Sequence, residues 1–261
     1  MIPPASFLPT SKRPVRYAAL AALVAVLMTA VLMTSAAPAS DEHGPPPPDP
    51  RLTDLERIIR PLKTVTETAD GRRELTLGTG FIVGRHYFTV EHNLAGAVAP
   101  PDAAKTIYLE GTAVAPSFAD AGTDLAVFAL PDGLCQRYCN DLALVDGPEL
   151  LRDQKVYWLP GQDADGKHTW QEGRILHYGI KGDGPAPDGT GPLQGCDGNL
   201  IVEVDTPFMS GSSGGPVLDA ATGGIVGIIQ GSVERGGVRS GYFKPVSCLT
   251  SVLRTVHQQQ P

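Results

Sequence analysis

Acidic residues and glycine are both missing from the first forty positions, and beyond position 40 no apolar stretch is long enough to cross a membrane. A membrane span needs about 20 apolar residues, so a multi-span membrane protein is excluded. No fixed period runs through the chain, which excludes collagen and coiled coil. A basic excess is lacking too. The first forty residues hold three basic side chains and no acid, so the remainder carries 18 basic against 28 acidic residues, a net charge of −10. That acidic body speaks against binding nucleic acid through phosphate neutralisation. What is present is glycine, 30 residues in all, beside a hydrophobic fraction of 42%. Average glycine usage is about 7%. The excess reads as many tight turns and not as disorder, because a chain this apolar can build a core. A length of 261 residues fits one or two domains, and an all-β barrel of about 200–250 residues can count as one.

The N-terminal segment is legible by charge. Lys12, Arg13 and Arg16 precede an uncharged stretch from 17 to 40, within which Ala18 to Met33 is almost entirely Ala, Leu, Val and Met. Residues 1–39 therefore read as a signal peptide or a single membrane anchor. Ala37-Pro38-Ala39 offers small residues for cleavage before Ser40. Either reading exports the body: secreted, periplasmic or tethered by one helix. Residues 40–50 contain Pro45 to Pro48 and form a stiff, extended linker. The folded domain is expected over 51–257, with 258–261 as a tail. The four cysteines, Cys135, Cys139, Cys196 and Cys248, allow three complete pairings. The favoured one is Cys135–Cys139, closing a short loop, with Cys196–Cys248 joining distant segments. A zinc site is the rival, weakened because Cys196 and Cys248 lack partners at ligand spacing.

The body alternates short β-prone runs with Gly, Pro and Asp. Candidate strands are Phe81–Val83, Tyr87–Val90, Ile107–Leu109, Leu125–Leu130, Lys155–Leu159, Trp170–Ile180, Leu200–Val204, Pro216–Leu218, Gly224–Ile229 and Tyr242–Val246. Turn signals such as Asp132-Gly133 and Asp165-Gly166 separate several of them. Short strands without long helices between them predict an all-β sandwich or barrel. Val246, Leu249, Val252, Leu253 and Val256 recur at helical spacing and predict a C-terminal helix. A short helix is expected over Leu52–Arg60.

Three segments carry chemistry, in the order His, Asp, Ser. They are Gly78-Thr79-Gly80-Phe81-Ile82-Val83 followed by Phe88-Thr89-Val90-Glu91-His92-Asn93-Leu94, then Thr123-Asp124-Leu125-Ala126-Val127, then Gly211-Ser212-Ser213-Gly214-Gly215-Pro216-Val217. A serine hydroxyl is a poor nucleophile at neutral pH and needs a base, which in turn needs an orienting acid. His92 ends an apolar strand and suits the base. Asp124 opens an apolar strand and suits the acid that sets the tautomer of His92. Ser213 lies in a loop whose glycines permit unusual backbone angles, so the N–H groups of Gly211 and Ser213 can converge on an oxyanion. Taken singly, each segment also reads as a surface histidine, a turn aspartate and a flexible loop. The conjunction of the three is what points to nucleophilic catalysis.

On these residues the chain resembles the chymotrypsin-like (trypsin-like) serine proteases of bacterial type, over about Leu75 to Val256. Its strongest element is Gly211–Val217, matching the family's Gly-x-Ser-Gly-Gly-Pro pattern. The resemblance implies two six-stranded antiparallel β-barrels, an active site between them and a closing C-terminal helix. It implies a serine endopeptidase that acts on protein or peptide substrates through an acyl-enzyme and needs no cofactor or metal. His92 would be the general base, Asp124 the orienting acid and Ser213 the nucleophile. The pocket for the residue before the scissile bond (P1) would involve Thr206, Pro207, Phe208, Gln230, Gly231, Ser232 and Gly241. Pro207 and Phe208 fall where trypsins place an acidic pocket floor, so an uncharged P1 residue is expected, with core packing of Phe208 and Met209 as the alternative. Two positions depart from the family. Glu91 precedes the histidine, where a small or amide residue is usual; on a strand its side chain points away from that of His92. Ser212 stands where many animal members have the Asp that pairs with a newly cut N-terminus, so activity without such cleavage is expected.

Two other functions compete. Gly211-x-Ser213-x-Gly215 also matches the nucleophile elbow of α/β-hydrolases, but that fold orders its triad Ser, acid, His. After Ser213 the only histidine is His257, in a Gln-rich tail. The second competitor is a non-catalytic protease homologue acting as an exported binding protein. The natural substrate and the oligomeric state are not encoded in any motif.

Overall fold

In the computed structural model, the described residues are 55–68, 71–95, 104–144, 150–159, 170–180, 184–185 and 200–259. The apolar N-terminal run, the proline linker and Cys196 lie outside them. Among the described residues no helix is long and apolar enough to cross a membrane.

Among the described residues fourteen strands form two sheets. The first contains β1 (Ile59–Glu67), β2 (Arg73–Val83), β3 (His86–Thr89), β4 (Ala104–Leu109), β5 (Thr112–Val114), β6 (Phe118–Asp120) and β7 (Leu125–Ala129), in the order β5-β4-β1-β2-β3-β7-β6. The second contains β8 (Lys155–Trp158), β9 (Gln171–Ile180), β10 (Gly184–Pro185), β11 (Leu200–Val204), β12 (Pro216–Asp219), β13 (Ile225–Arg235) and β14 (Val238–Pro245). There β8 pairs with both β12 and β9, so β8, β9, β11, β14, β13 and β12 close into a six-stranded barrel with β10 appended. The first sheet is a half-barrel of seven strands, whose end strands β5 and β6 are not joined among the described residues. All the described pairings are antiparallel. The expected pair of β-barrels with a C-terminal helix is therefore the architecture.

The first sheet is buried on both faces. One face packs Leu62, Ile82, Tyr87, Leu109, Ala126 and Phe128 against Leu134 of α2 (Asp132–Tyr138). The other packs Phe81, Val83, Phe88, Val90, Leu125 and Val127 against Val246, Leu249, Val252 and Val256 of a C-terminal helix, Val246–Gln259. Double burial explains why Phe81–Val83 and Leu125–Phe128 read as unbroken apolar runs instead of alternating ones. Each such side chain contributes about 1.5–3 kcal/mol relative to exposure. The second barrel is filled by Val156, Trp158, Ile175, Val202, Val204, Val217 and Phe243.

Two local expectations change. The helix expected over Leu52–Arg60 is confined, within the described part, to a turn at 55–56, and Ile59–Arg60 already belong to β1. That strand escaped the sequence reading because its inward positions are Leu62, Thr64 and Thr66, two of them polar. The strand at Gly224–Ile229 runs on to Arg235 and turns through Gly236 and Gly237, both at positive φ (58° and 81°). Arg235 faces Val238 across this two-residue turn, the hairpin geometry that demands glycine. The disulfide Cys135–Cys139 is present at the end of α2. Cys248 is buried on the C-terminal helix, and its expected partner Cys196 lies outside the described residues.

The C-terminal helix also carries a titratable contact. His257 meets His86 of β3 edge-on, with ring centroids 5.4 Å apart. Burial, then the charges of His257 and Arg85, hold the imidazole of His86 below its ordinary value of 6.5. A base with a depressed folded-state value binds fewer protons folded than unfolded. Its contribution is therefore present above the unfolded value and lost as pH falls through it. The urea midpoint is expected to fall between about pH 7 and pH 5, and His257→Gln should shrink that fall. A midpoint equally flat in both proteins would contradict it.

Candidate active site

The strand preceding His92 stops at Thr89, so the histidine does not end a strand. It opens a one-turn helix, α1 (His92–Ala95), held by Asn93 N–H to Val90 O at 3.3 Å and Leu94 N–H to Glu91 O at 2.7 Å. Glu91 is a turn residue. Among the described residues no hydrogen bond or ion pair joins its carboxylate to His92.

Asp124 precedes β7 with φ +54°, a left-handed conformation that Asp tolerates better than most residues. The turn before it is tied to Asp120, whose carboxylate accepts the Thr123 hydroxyl at 2.8 Å and the N–H groups of Thr123 and Gly122 at 3.0 and 3.2 Å. The bond from the Thr123 hydroxyl, followed by those two N–H groups, holds the Asp120 carboxyl below its ordinary range. So positioned, Asp124 grips His92 three ways. Its Oδ1 accepts the His92 main-chain N–H at 3.0 Å, and Oδ1 and Oδ2 lie 3.0 and 2.9 Å from His92 Nδ1. A carboxylate only accepts, so the neutral ring carries its proton on Nδ1. The lone pair is left on Nε2. The Asp124 side chain is 18% exposed against 45% for His92, so the acid is largely covered and the ring is open to solvent.

Ser213 sits on the other barrel, in the loop between Ser210 and Pro216. Gly214 N–H donates to Ile229 O at 2.8 Å and Ile229 N–H to Gly215 O at 2.9 Å, pinning the loop to β13. Gly211 and Gly214 have φ of +87° and +88°. Ser212 is buried and its N–H and hydroxyl both turn to Met209 O. The N–H groups of Gly211 and Ser213 donate to no acceptor among the described residues. The Ser213 hydroxyl donates to the main-chain O of Gln230 at 3.3 Å. The expected bond from Ser213 to His92 is therefore not formed. Gln230 links the two parts instead, because its Nε2 also donates to Asp124 O at 3.1 Å.

Residues that the sequence reading did not single out hold the two barrels in register here. The Asn93 side-chain amide donates to Ser213 O at 2.9 Å, to Thr89 Oγ1 at 3.0 Å and to Thr79 O at 3.4 Å. Its main-chain O accepts the Thr64 hydroxyl at 3.0 Å. Thr79 N–H donates to Ser213 O at 3.1 Å, and its hydroxyl to Gly211 O at 2.6 Å. A Cβ on Gly214 would lie 2.0 Å from Thr79 O, and one on Gly78 would lie 2.3 Å from Asn93 Cγ. Both glycines exist to let this clasp close. The signal was present as Thr and Asn among apolar residues beside glycines, but only their partners across the cleft give it meaning.

The residues expected to form the substrate pocket pack against one another around Phe208. Phe208 is 5% exposed and packs edge-on against Trp158, with centroids 4.8 Å apart. Its ring lies so close to Gly241 that a Cβ there would come within 2.7 Å of Phe208 Cδ2 and Thr206 O. Ser232 Oγ donates to Phe208 O at 2.8 Å, tying the two walls together. Thr206 bonds its neighbour Asp205 at 3.0 Å. Pro207 and Gly231 are half-buried. Met209, by contrast, is exposed.

The fold and this catalytic-looking cleft define a trypsin-like peptidase. The family model for the trypsin-like peptidase domain matches residues 78–228, and the chain belongs to that family. Among curated proteins no relative matches. Of the solved structures that share the fold, the active form of the Rv3671c protease from M. tuberculosis is 18% identical, with a TM-score of 0.57 over 98% of this chain and 96% of that one. The HtrA-type protease AlgW with a decapeptide is also 18% identical, with a TM-score of 0.55 over 80% of this chain and 67% of that one. AlgW with a tripeptide is 20% identical, with a TM-score of 0.52 over 80% and 64%.

Asn93→Ala removes the amide that faces three oxygens, and is expected to cost about 1–3 kcal/mol of stability. Asn93→Asp should cost more, because a carboxylate offers those oxygens no hydrogen. Equal urea midpoints for wild type and both variants would overturn the clasp's role.

Proposed function

We propose that this protein is an exported serine endopeptidase using His92 as general base, Asp124 as the acid that orients it and Ser213 as nucleophile. The observation that carries the reading is the His92–Asp124 pair, which leaves an unprotonated Nε2 at the cleft. The unengaged N–H groups of Gly211 and Ser213 support it. Rotation of the Ser213 hydroxyl from Gln230 O to His92 Nε2 completes the array, a rearrangement common between free and substrate-bound sites. Nε2 then takes the hydroxyl proton as Oγ attacks the scissile carbonyl. The oxyanion is received by the N–H groups of Gly211 and Ser213, each such donor lowering the barrier by about 3–4 kcal/mol. His92 passes its proton to the leaving amine, and water repeats the sequence to free Ser213 from the acyl group.

The substrates are proteins or peptides; AlgW, which shares the fold, is seen with a decapeptide and with a tripeptide. Because Phe208 fills the recess beside Gly241, the residue before the scissile bond is small and uncharged. Local bonding of Ser212 to Met209 O agrees with activity that needs no new N-terminus. Residues 1–39 export the domain or anchor it, and residues 40–50 space it from that point. The position of the Ser213 hydroxyl on Gln230 O favours one other reading, a non-catalytic homologue that binds without cleaving.

A serine-directed fluorophosphonate separates the two. The full chain in mild detergent is expected to be labelled at Ser213, Ser213→Ala not at all, and His92→Ala at least about a thousandfold more slowly. Peptide libraries should then be cut after small residues. Absence of labelling from pH 6 to 9, in protein shown to be folded, assigns the binding homologue.

A further inference from the structure

A second cavity, of about 770 Å³, is lined by Leu55, Arg57, Arg60, Arg137, Tyr138 and Asp141, among others, and closed on one side by the Thr222–Gly223 turn of the second barrel. None of the candidate catalytic residues lines it. Its charge runs against the rest of the molecule. Three guanidinium groups face one carboxylate here, in a chain of net charge −7.

The cations are brought together by one ring. Arg60 lies over Tyr138 with its Cζ 4.7 Å from the ring centroid, and Arg137 over the same ring at 5.2 Å. Each such contact is worth about 0.5–1 kcal/mol at an exposed site, and the two like charges repel. Glu110 eases this for Arg60 only, at 3.8 Å, while accepting the Tyr138 hydroxyl at 3.2 Å. Arg137 donates Nε–H to Gly133 O at 3.3 Å. Its two terminal amino groups have no acceptor among the described residues. A guanidinium fork is shaped for two oxygens of one carboxylate.

The walls are rigid. Asn140 Oδ1 accepts the N–H groups of Gly84 and Leu142 at 3.1 and 3.0 Å, and its Nδ2 donates to Ile82 O at 3.1 Å. On the far side Thr222 Oγ1 donates to Asp219 at 2.8 Å and accepts Gly224 N–H at 3.1 Å. The Cys135–Cys139 disulfide braces the segment that presents Arg137 and Tyr138. Such a groove is built before any ligand arrives. Leu142, 42% exposed, and Leu55 give it an apolar edge. The volume is in the range of sites of about 300–1,000 Å³ that enclose whole ligands, far more than a lone oxyanion fills.

We infer that this groove is a docking site for an acidic peptide segment, with a Glu or Asp carboxylate taken by Arg137 and Arg60 and an adjacent apolar side chain laid on Leu55 and Leu142. The site is separate from the proposed catalytic cleft, and its test reads binding without turnover.

The test uses the full chain carrying Ser213→Ala and a fluorescein-labelled decapeptide of alternating Glu and Leu, followed by anisotropy. Its Gln–Leu counterpart and inorganic phosphate serve as controls. The Glu peptide is expected to bind at least tenfold tighter than the Gln peptide, and Arg137→Gln to weaken it at least fivefold. Asp141→Asn should tighten it, a gain that misfolded protein cannot produce. Equal binding of the two peptides, or binding indifferent to both Arg137→Gln and Asp141→Asn, would overturn the proposal. So would protection by phosphate, read as a raised unfolding midpoint lost in Arg137→Gln, in protein that binds neither peptide.

Discussion

Everything at the candidate site hangs on a few hydrogen bonds that cross from one barrel to the other. Asn93, one residue beyond the histidine, holds the main-chain oxygen of Ser213. Thr79 holds the same oxygen through its N–H, and Gly211 O through its hydroxyl. Neither barrel contains both His92 and Ser213, so their separation is set by this clasp. Its central residue, Asn93, is buried, and buried polar groups are costly when unpaired. The site can therefore open only by leaving several donors and acceptors without partners. Gly78 and Gly214 are required because no side chain fits between the joined strands.

The C-terminal helix works on a larger scale to the same end. It leaves the second barrel after Pro245 and lies across the outer face of the first sheet, where its apolar stripe meets Phe81, Phe88 and Val127. The chain is thus buckled back over the half-barrel that carries His92 and Asp124. An open sheet of seven strands is tolerated there because one face is covered by this helix and the other by α2. The closed second barrel needs no such cover, and it presents the Ser213 loop from a strand junction pinned to β13.

Much of this was legible in the chain. The strands covered on both faces announced themselves as apolar runs, and the helix by its period. The three segments around His92, Asp124 and Ser213 stood at strand edges as expected, with His92 displaced into the one-turn helix α1. The pocket behaved differently. Phe208 was open to reading as a specificity residue or as core, and sequence has no means of deciding between them. The ring is buried and packs against Trp158 and Gly241, contacts that only the folded chain brings together.

By itself the sequence determined the class of fold, the order of the chemical groups and the presence of a basic, then apolar, N-terminal stretch ahead of a proline run. These are local properties: period, turn chemistry and residue type are all carried within a few positions. Only the tertiary structure decided that β1 exists, because its inward threonines are buried by strands distant in the chain. Only it decided that Asn93, Thr79 and Gln230 brace the site, and that the Ser213 hydroxyl rests on Gln230 O. Only it gathered Arg57, Arg60 and Arg137 around one groove. Each of these is a contact between residues far apart in sequence, and no local pattern encodes which partner a polar side chain will meet once the barrels close on one another.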